Sequence, residues 1–206
     1  MENYKNLWEV AVLALLREAP MHPYQMQKLL HDRHKAELLA LKKGSLYHAI
    51  NRLMREGLIE ASDTGRSGRR PERTTYRITA EGHAELIDVL RRMIGIPRHE
   101  SSDFMAALSF LLHLDRDDAL KRLEERSEQV EKDVQALQSG MKAAAERVDR
   151  INLIEGEYLL AMRRAELKWV RRVIDEMRSG QMTWDMKKIF REARTERVSS
   201  AKEKRR

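Results

Sequence analysis

The sequence predicts a mainly helical protein with one small β-hairpin, in which an N-terminal winged helix-turn-helix precedes a long antiparallel helical hairpin of coiled-coil type. Three observations support this fold class. The chain has only four prolines and nine glycines among 206 residues, which is typical of helical proteins. A short arginine-rich stretch is flanked by segments that read as strands. The second half carries a sustained heptad pattern.

Three helices are predicted in the first sixty residues. The apolar segment 7–17 follows Asn6, a good N-cap, and a second helix is expected at 24–34 after Pro23. Its inner positions would include Tyr24. The third helix, 44–56, begins at Gly44 or Ser45 and ends at Gly57. Helical spacing puts Leu46, Ile50, Leu53 and Met54 on its apolar face, and polar or basic side chains on the other.

A hairpin and a fourth helix complete the first half. Residues 58–62 and 74–79 have the β-branched composition of strands, with a turn at 63–72 between them. Thr79 is a suitable cap for a helix over 80–94. Gly95, Pro97 and the polar run that follows predict a domain boundary. We therefore expect a winged helix-turn-helix domain at 1–95.

Two long helices are predicted in the second half, the first beginning near Ser102 or Asp103 and the second covering 153–178. The first carries strict 3-4 spacing, which indicates a coiled-coil seam. The seam consists of Leu120, Leu123, Ser127, Val130, Val134, Leu137, Met141, Ala144, Val148 and Ile151. One stripe of the second helix would hold Ile154, Tyr158, Met162, Ala165, Trp169, Val173 and Met177. The expected domains are thus completed by a helical dimerisation domain at 96–186 and a basic, disordered tail at 187–206.

Charge and composition narrow the function classes. The net charge is +7, and residues 42–77 alone hold nine basic and four acidic side chains. Cysteine is absent, and neither a membrane-spanning run nor a signal peptide is recognised, so a cytoplasmic protein is expected. The histidines show no metal-ligand spacing, and no nucleophile or phosphate-binding motif is present. We therefore expect no enzyme, no metal site and no cofactor.

Three helices followed by a hairpin place the third helix in the major groove of DNA. Asn51 and Arg52 have side chains that read adenine and guanine edges, or contact only phosphates. The hairpin turn would be a wing that reaches phosphates or a minor groove. A solvated basic surface is the alternative interpretation. The predicted DNA-binding residues are Lys42, Lys43, Ser45, Tyr47, His48, Asn51, Arg52, Arg66, Arg69, Arg70 and Arg73.

Particular motifs resemble the PadR family of bacterial transcriptional regulators over about residues 7–180. They are Gly44-Ser45-Leu46-Tyr47, Leu53, Glu56-Gly57-Leu58-Ile59, Tyr76-Arg77-Ile78-Thr79-Ala80-Glu81-Gly82 and, in the second half, Arg164-Ala165-Glu166-Leu167-Lys168-Trp169. Two positions depart from the family pattern: His22-Pro23-Tyr24 stands where many relatives have Gly before Tyr, and His48 where Pro often follows Tyr. The resemblance implies that Ser45, Tyr47 and His48 face DNA, although Tyr47 is also a candidate for partial burial.

The resemblance further implies a homodimeric regulator, usually a repressor; several members of the family lose DNA on binding a small molecule, which is often aromatic. The heptad seam pairs with the second long helix of its own chain, with a partner subunit, or with both, and we expect both. Predicted dimerisation residues are Trp8, Phe104, Leu108, Leu123, Val130, Val134, Leu137, Tyr158, Met162 and Trp169. A possible effector pocket would use Trp8, Phe104, Phe110 and Trp169, which are alternatively plain core aromatics. The rival function is a coiled-coil adaptor whose winged helix binds protein instead of a two-fold DNA operator.

Overall fold

The structure is a computed structural model that describes residues 6–39, 41, 43–65, 73–97, 102–182, 184 and 191. Side chains are described for these residues except 37, 38, 43, 63–65 and 73. The chain divides into two compact units, Met1–His99 and Glu100–Arg206. Within the described ranges, no helix is both long enough and apolar enough to cross a bilayer. The predicted tail lies outside the described residues except at Arg191.

Helices α1 (Leu7–Glu18), α2 (Pro23–Asp32), α3 (Lys35–Leu38) and α4 (Leu46–Arg55) open the first unit, with one 3-10 turn at Lys43–Ser45 before α4. Asn6 caps α1, because its side-chain oxygen accepts a hydrogen bond from the Trp8 amide at 3.1 Å. His22 caps α2: its Nδ1 accepts from the Tyr24 amide at 3.1 Å, while Gln25 Oε1 accepts from the His22 amide at 2.9 Å. The departure at His22 thus supplies a capping box.

The wing is an antiparallel pair of strands, β1 (Ile59–Gly65) and β2 (Arg73–Ile78), with Ile59 opposite Ile78 and a register shift between Ala61 and Asp63. Met21 forms a short antiparallel bridge to Tyr76, with amide-to-carbonyl distances of 3.1 and 3.2 Å. This bridge joins the loop before α2 to the wing. Helix α5 (Ala80–Gly95) follows directly.

Thr79 connects the end of α4 to the start of α5. Its hydroxyl accepts a hydrogen bond from the Gly82 amide at 3.0 Å and donates one to the Gly57 carbonyl at 2.8 Å. Gly57 has φ +70°, a left-handed conformation that favours glycine at a helix end. Gly82 packs so tightly that a Cβ there would lie 1.9 Å from the Leu58 carbonyl oxygen. The close approach explains why glycine stands at this position.

The core of the first unit is built around α1, as its apolar sequence predicts. The side chains that are almost wholly buried here come from α1, α2, α4, β1 and α5; they include Val12, Leu13, Met26, Leu46, Ile50, Leu53, Ile59, Leu86 and Val89. Two sequence expectations were wrong. Met54 is exposed and Ala49 takes the inner position, while Tyr24 is exposed on the first turn of α2. For α4 the cause is angular, because the buried face of residues 46, 49, 50 and 53 is as wide as the predicted one but is rotated by about 40° toward residue 49.

The second unit contains α6 (Asp103–Ser109), a 3-10 turn at Leu111–His113, α7 (Arg116–Ala145), a 3-10 turn at Arg150–Asn152 and α8 (Ile154–Arg178). The expected single first helix was therefore wrong. It is interrupted because Leu114 (ψ 151°) and Asp115 (ψ 149°) are extended, and α7 starts anew with an acidic first turn. Helix α7 continues through Gly140 but ends at Ala145, so Val148 and Ile151 lie outside it.

Helices α7 and α8 form an antiparallel hairpin. Polar pairs join Gln138 to Arg164, Glu131 to Arg171 and Glu124 to Arg178, at 3.0, 2.7 and 2.8 Å. Successive pairs are seven residues apart on both helices. Between them, the seam residues Leu123, Ser127, Val130 and Val134 are buried with Leu167, Val170, Val173, Ile174 and Met177. The seam thus pairs within the chain, while supercoiling of the helices stays a prediction.

Candidate nucleic-acid interface

Helix α4 has one buried and one exposed face. Leu46, Ala49, Ile50 and Leu53 are buried in the core of the first unit. Tyr47, His48 and Asn51 are exposed on the opposite side, and Ser45 is half-buried at the helix start. Tyr47 has 57 % of its surface exposed. The structure therefore contradicts the alternative in which Tyr47 is partly buried. These side chains form a polar surface that a rigid core supports.

Arg52 is held by two carboxylates of the protein. Its Nε donates to Glu56 Oε1 at 3.1 Å, and its Nη1 lies 3.5 Å from Glu9 Oε1 on α1. The hydrogen bond to Glu56, followed by the charge of Glu9, raises the pKa of Arg52 above its ordinary value. The guanidinium therefore stays charged but is engaged within the protein.

Few of the predicted DNA-binding residues in the wing, or in the segment before α4, lie among the described residues. Arg66, Arg69, Arg70 and also Lys42 lie outside the described residues. For Lys43 and Arg73, only the backbone is described, in the 3-10 turn and in β2 respectively. Arg77 pairs across the hairpin with Glu60, Nε to Oε1, at 2.8 Å. Base or phosphate contacts by the wing arginines stay predictions.

Tyr24 is a candidate contact that the sequence analysis missed. It is exposed on the first turn of α2, the first helix of the helix-turn-helix pair. In such pairs this helix crosses the DNA backbone, and phosphates are favoured at helix N-termini. The signal was the spacing of Pro23, Met26 and Leu30, which share one buried helical face and leave residue 24 outside it.

The predicted dimerisation residues fall into three environments. Leu123, Val130 and Val134 are buried between α7 and α8 of the same chain. Leu108 and Leu137 are half-buried. Tyr158 and Met162 are exposed with Ile154, and the predicted α8 stripe is therefore split, since Val173 and Met177 are buried. The split follows from the 4-residue spacing, which rotates the stripe by about 40° at each step, so that residue 154 lies opposite the buried face and only 173 and 177 reach it.

The predicted effector residues belong to both units, Trp8 to the first and the other three to the second. Trp8 is 4 % exposed and lies in the core of the first unit, which leaves little surface for a ligand or a partner. In the second unit, Phe104 and Trp169 meet edge to face with ring centroids 6.2 Å apart. Phe110 is exposed. The roles of these four residues stay predictions.

A cluster of charged side chains, Arg126, Glu166 and Arg163, begins at the Phe104 ring. The guanidinium carbon of Arg126 lies 3.5 Å from the ring centroid, within cation–π distance. Arg126 also donates through Nε to Glu166 Oε1 at 2.8 Å, and Arg163 pairs with the other oxygen of Glu166 at 2.9 Å. The described residues contain no group of three or more His, Cys, Asp or Glu side chains arranged to hold a metal ion.

A helix with one buried and one exposed polar face, packed beside a β-hairpin, defines a winged helix-turn-helix, the arrangement in which DNA-binding regulators place a helix in the major groove. Residues 12–88 match the model of the transcriptional regulator PadR-like family. This match lies within the first unit, and it confirms the resemblance to the family that the sequence motifs predict.

Solved structures show the same fold at low identity. Bacillus subtilis PadR in complex with operator DNA is 21 % identical with a TM-score of 0.68, covering 84 % of this chain and 99 % of that one. B. subtilis PadR with p-coumaric acid is 22 % identical, TM-score 0.64, with coverage of 84 and 99 %. The Vibrio cholerae virulence activator AphA is 18 % identical, TM-score 0.62, with coverage of 84 and 98 %. Comparison with curated protein sequences gives no match.

Proposed function

We propose that this regulator is a homodimeric repressor that occludes a promoter by laying two α4 helices into successive major grooves. The observation that carries the proposal is the exposed face of Tyr47, His48 and Asn51 on a helix whose other face is fully buried. Such a helix presents hydrogen-bonding groups in a fixed geometry, which base readout requires. The operator complex of B. subtilis PadR supports the proposal.

Selection of duplexes from a random-sequence pool by the purified protein tests this function. We expect enrichment of a two-fold sequence whose half-sites lie one helical turn apart. Binding of the selected duplex, followed by fluorescence anisotropy, should weaken about linearly on a log–log plot between 50 and 200 mM KCl, because bound counterions are released. Absence of enrichment together with a flat salt response would refute DNA binding.

The proposed homodimer uses the exposed apolar side chains of α8. Ile154, Tyr158 and Met162 follow each other at one-turn spacing, and Tyr158 has 69 % of its surface exposed. An exposed stripe of this kind is characteristic of a helix that packs against another subunit. Met162→Glu should convert a dimer to a monomer in light scattering, whereas Lys168→Glu on the same helix should not. A dimeric Met162→Glu variant would refute this interface.

We further propose that an aromatic carboxylic acid releases the protein from DNA. Support comes from the Phe104–Trp169 pair with the Arg126 guanidinium beside it, since such a site provides both an aromatic edge and a positive charge. The p-coumaric acid complex of B. subtilis PadR points the same way. Titration of the protein–duplex complex with p-coumaric acid should release DNA, and Trp169→Leu should abolish release. Release that persists in Trp169→Leu would refute this site.

Two alternatives have distinct outcomes. A coiled-coil adaptor whose winged helix binds protein would select no duplex and show no steep salt dependence. An activator would select a duplex but increase transcription from a template that carries it, whereas a repressor decreases it. AphA, which shares the fold, is described as an activator. Because the proposed ligand is chromosomal DNA, we place the protein in the cytoplasm.

A further inference from the structure

A buried carboxylate in α1 is the least expected polar group of the first unit. Glu9 is 2 % exposed, although charged side chains are rarely buried unless they are paired. Its Oε1 lies 3.5 Å from Arg52 Nη1, and its Oε2 has no hydrogen-bond partner among the described residues. The position of Glu9 in the first turn of α1 is favourable for a negative charge. Arg52 is thus the cation that compensates this carboxylate.

Two of the three guanidinium nitrogens of Arg52 are engaged by carboxylates of the protein, and this engagement competes with bidentate recognition of a DNA base. Bidentate recognition of guanine needs two parallel N–H groups of one guanidinium. In Arg52, Nε is bonded to Glu56 and Nη1 faces Glu9. Turning the guanidinium into a groove would leave Glu9 buried without its counter-ion, which is strongly unfavourable.

We propose that Arg52 is a positioning residue that fastens the recognition helix α4 to α1 through Glu9, and that it does not read a base. Specific contacts then fall to Tyr47, His48 and Asn51, whose side chains are exposed. Glu56, one turn after Arg52, holds the guanidinium from the other side and keeps it along the helix surface. This inference rests on the proposed DNA-binding function and assigns the arginine a role within it.

A double-mutant cycle tests the pairing. The variants are Glu9→Gln, Arg52→Gln, the double variant, and Arg55→Gln as a control that removes the same charge from the same helix. The probes are a duplex selected by the wild-type protein from a random-sequence pool and a scrambled duplex of equal composition. We expect Arg52→Gln to weaken binding of the selected duplex about tenfold and the double variant to recover most of that loss. Base-by-base substitution of the duplex should give the wild-type preference profile in the double variant.

The Glu9→Gln variant gives a second measurement, which should stay unchanged if the Glu9–Arg52 pair only stabilises the fold. The freed, charged guanidinium becomes available to phosphates, so binding of the scrambled duplex should strengthen about threefold and its salt slope should steepen by about one ion. Arg55→Gln should instead weaken both duplexes equally. If Glu9→Gln binds both duplexes like the wild type, or if the double variant loses discrimination at one base pair, the proposal is overturned.

The outcomes separate this inference from the proposed function. A wild-type protein that selects no duplex refutes DNA binding, and the thermal unfolding midpoints of the four cycle members then still test the Glu9–Arg52 pairing. Additive midpoints would overturn it, whereas a double variant more stable than Arg52→Gln supports it. The same midpoints keep the test decisive if Arg52→Gln folds poorly.

Discussion

Replacement of Gly82 by alanine should destabilise the first unit more than any other single methyl addition at a described glycine. The new Cβ would lie 1.9 Å from the Leu58 carbonyl oxygen and 2.9 Å from Ile78 Cγ1. A carbon and a carbonyl oxygen normally stay about 3.3 Å apart, so the backbone of α5 and the Leu58 peptide must separate by about 1.4 Å. Such overpacking costs about 3 kcal/mol, the upper end for inserted methyl groups.

Differential scanning calorimetry measures the effect. For a unit of about 100 residues, about 3 kcal/mol lowers the midpoint by roughly 12–24 °C. Gly140→Ala is the matched control, because nothing lies within 4 Å of a Cβ built at this position, which is five residues before the end of α7. That substitution should raise stability by about 0.5–1 kcal/mol. A Gly82→Ala midpoint within 2 °C of wild type, on the order of the control's shift, would refute the reasoning.

Three further predictions follow from other sites. Gly57→Ala should cost about 1 kcal/mol in urea unfolding, since φ is +70° there; an unchanged midpoint would contradict the left-handed helix end. The hydrogen bond from Arg33 holds the pKa of Glu18 below its ordinary 4.5, so the stability advantage of wild type over Glu18→Gln should be present above pH 4.5 and disappear as pH falls through the lowered pKa; an advantage that grows with acid would contradict it. Truncation after Met186 should weaken DNA binding at low salt equally for all sequences, and unchanged anisotropy titrations would exclude a role for the tail.

Helix α4 and the hairpin were predictable because local signals agree. Gly57, Thr79 and the alternation of 74–79 each mark an element end or a strand without reference to distant residues. The structure places α4, β1, β2 and α5 within a few residues of the predicted bounds. Local chemistry was sufficient there.

The interruption before α7 was not predictable from periodicity. Apolar residues continue at helical spacing from Phe104 to Leu114, and no proline or glycine marks the break. Phe104 and Leu111, which precede the extended backbone at Leu114 and Asp115, pack against the core of α7 and α8, a tertiary contact that spacing along one helix does not contain. Asp115 at an N-cap position was the available signal.

The pairing of Arg52 was also beyond the sequence. Glu9 and Arg52 belong to different helices. From the sequence alone, a glutamate in the first turn of α1 is expected to be exposed, with its negative charge stabilised by the helix dipole. Only the packing of α1 against α4 reveals that this carboxylate is buried and faces the arginine. The division of the α8 stripe into exposed and buried halves similarly depends on where α7 lies.

The double role of the Thr79 hydroxyl has a mechanical consequence. The hydroxyl is bonded at 2.8 Å to the Gly57 carbonyl, just after α4, and at 3.0 Å to the Gly82 amide, in the first turn of α5. These two hydrogen bonds link the end of α4 directly to the start of α5. The close packing of Gly82 against the Leu58 carbonyl adds a second contact between α5 and the segment that follows α4. A displacement of the first turn of α5 should therefore carry the C-terminal end of α4 with it.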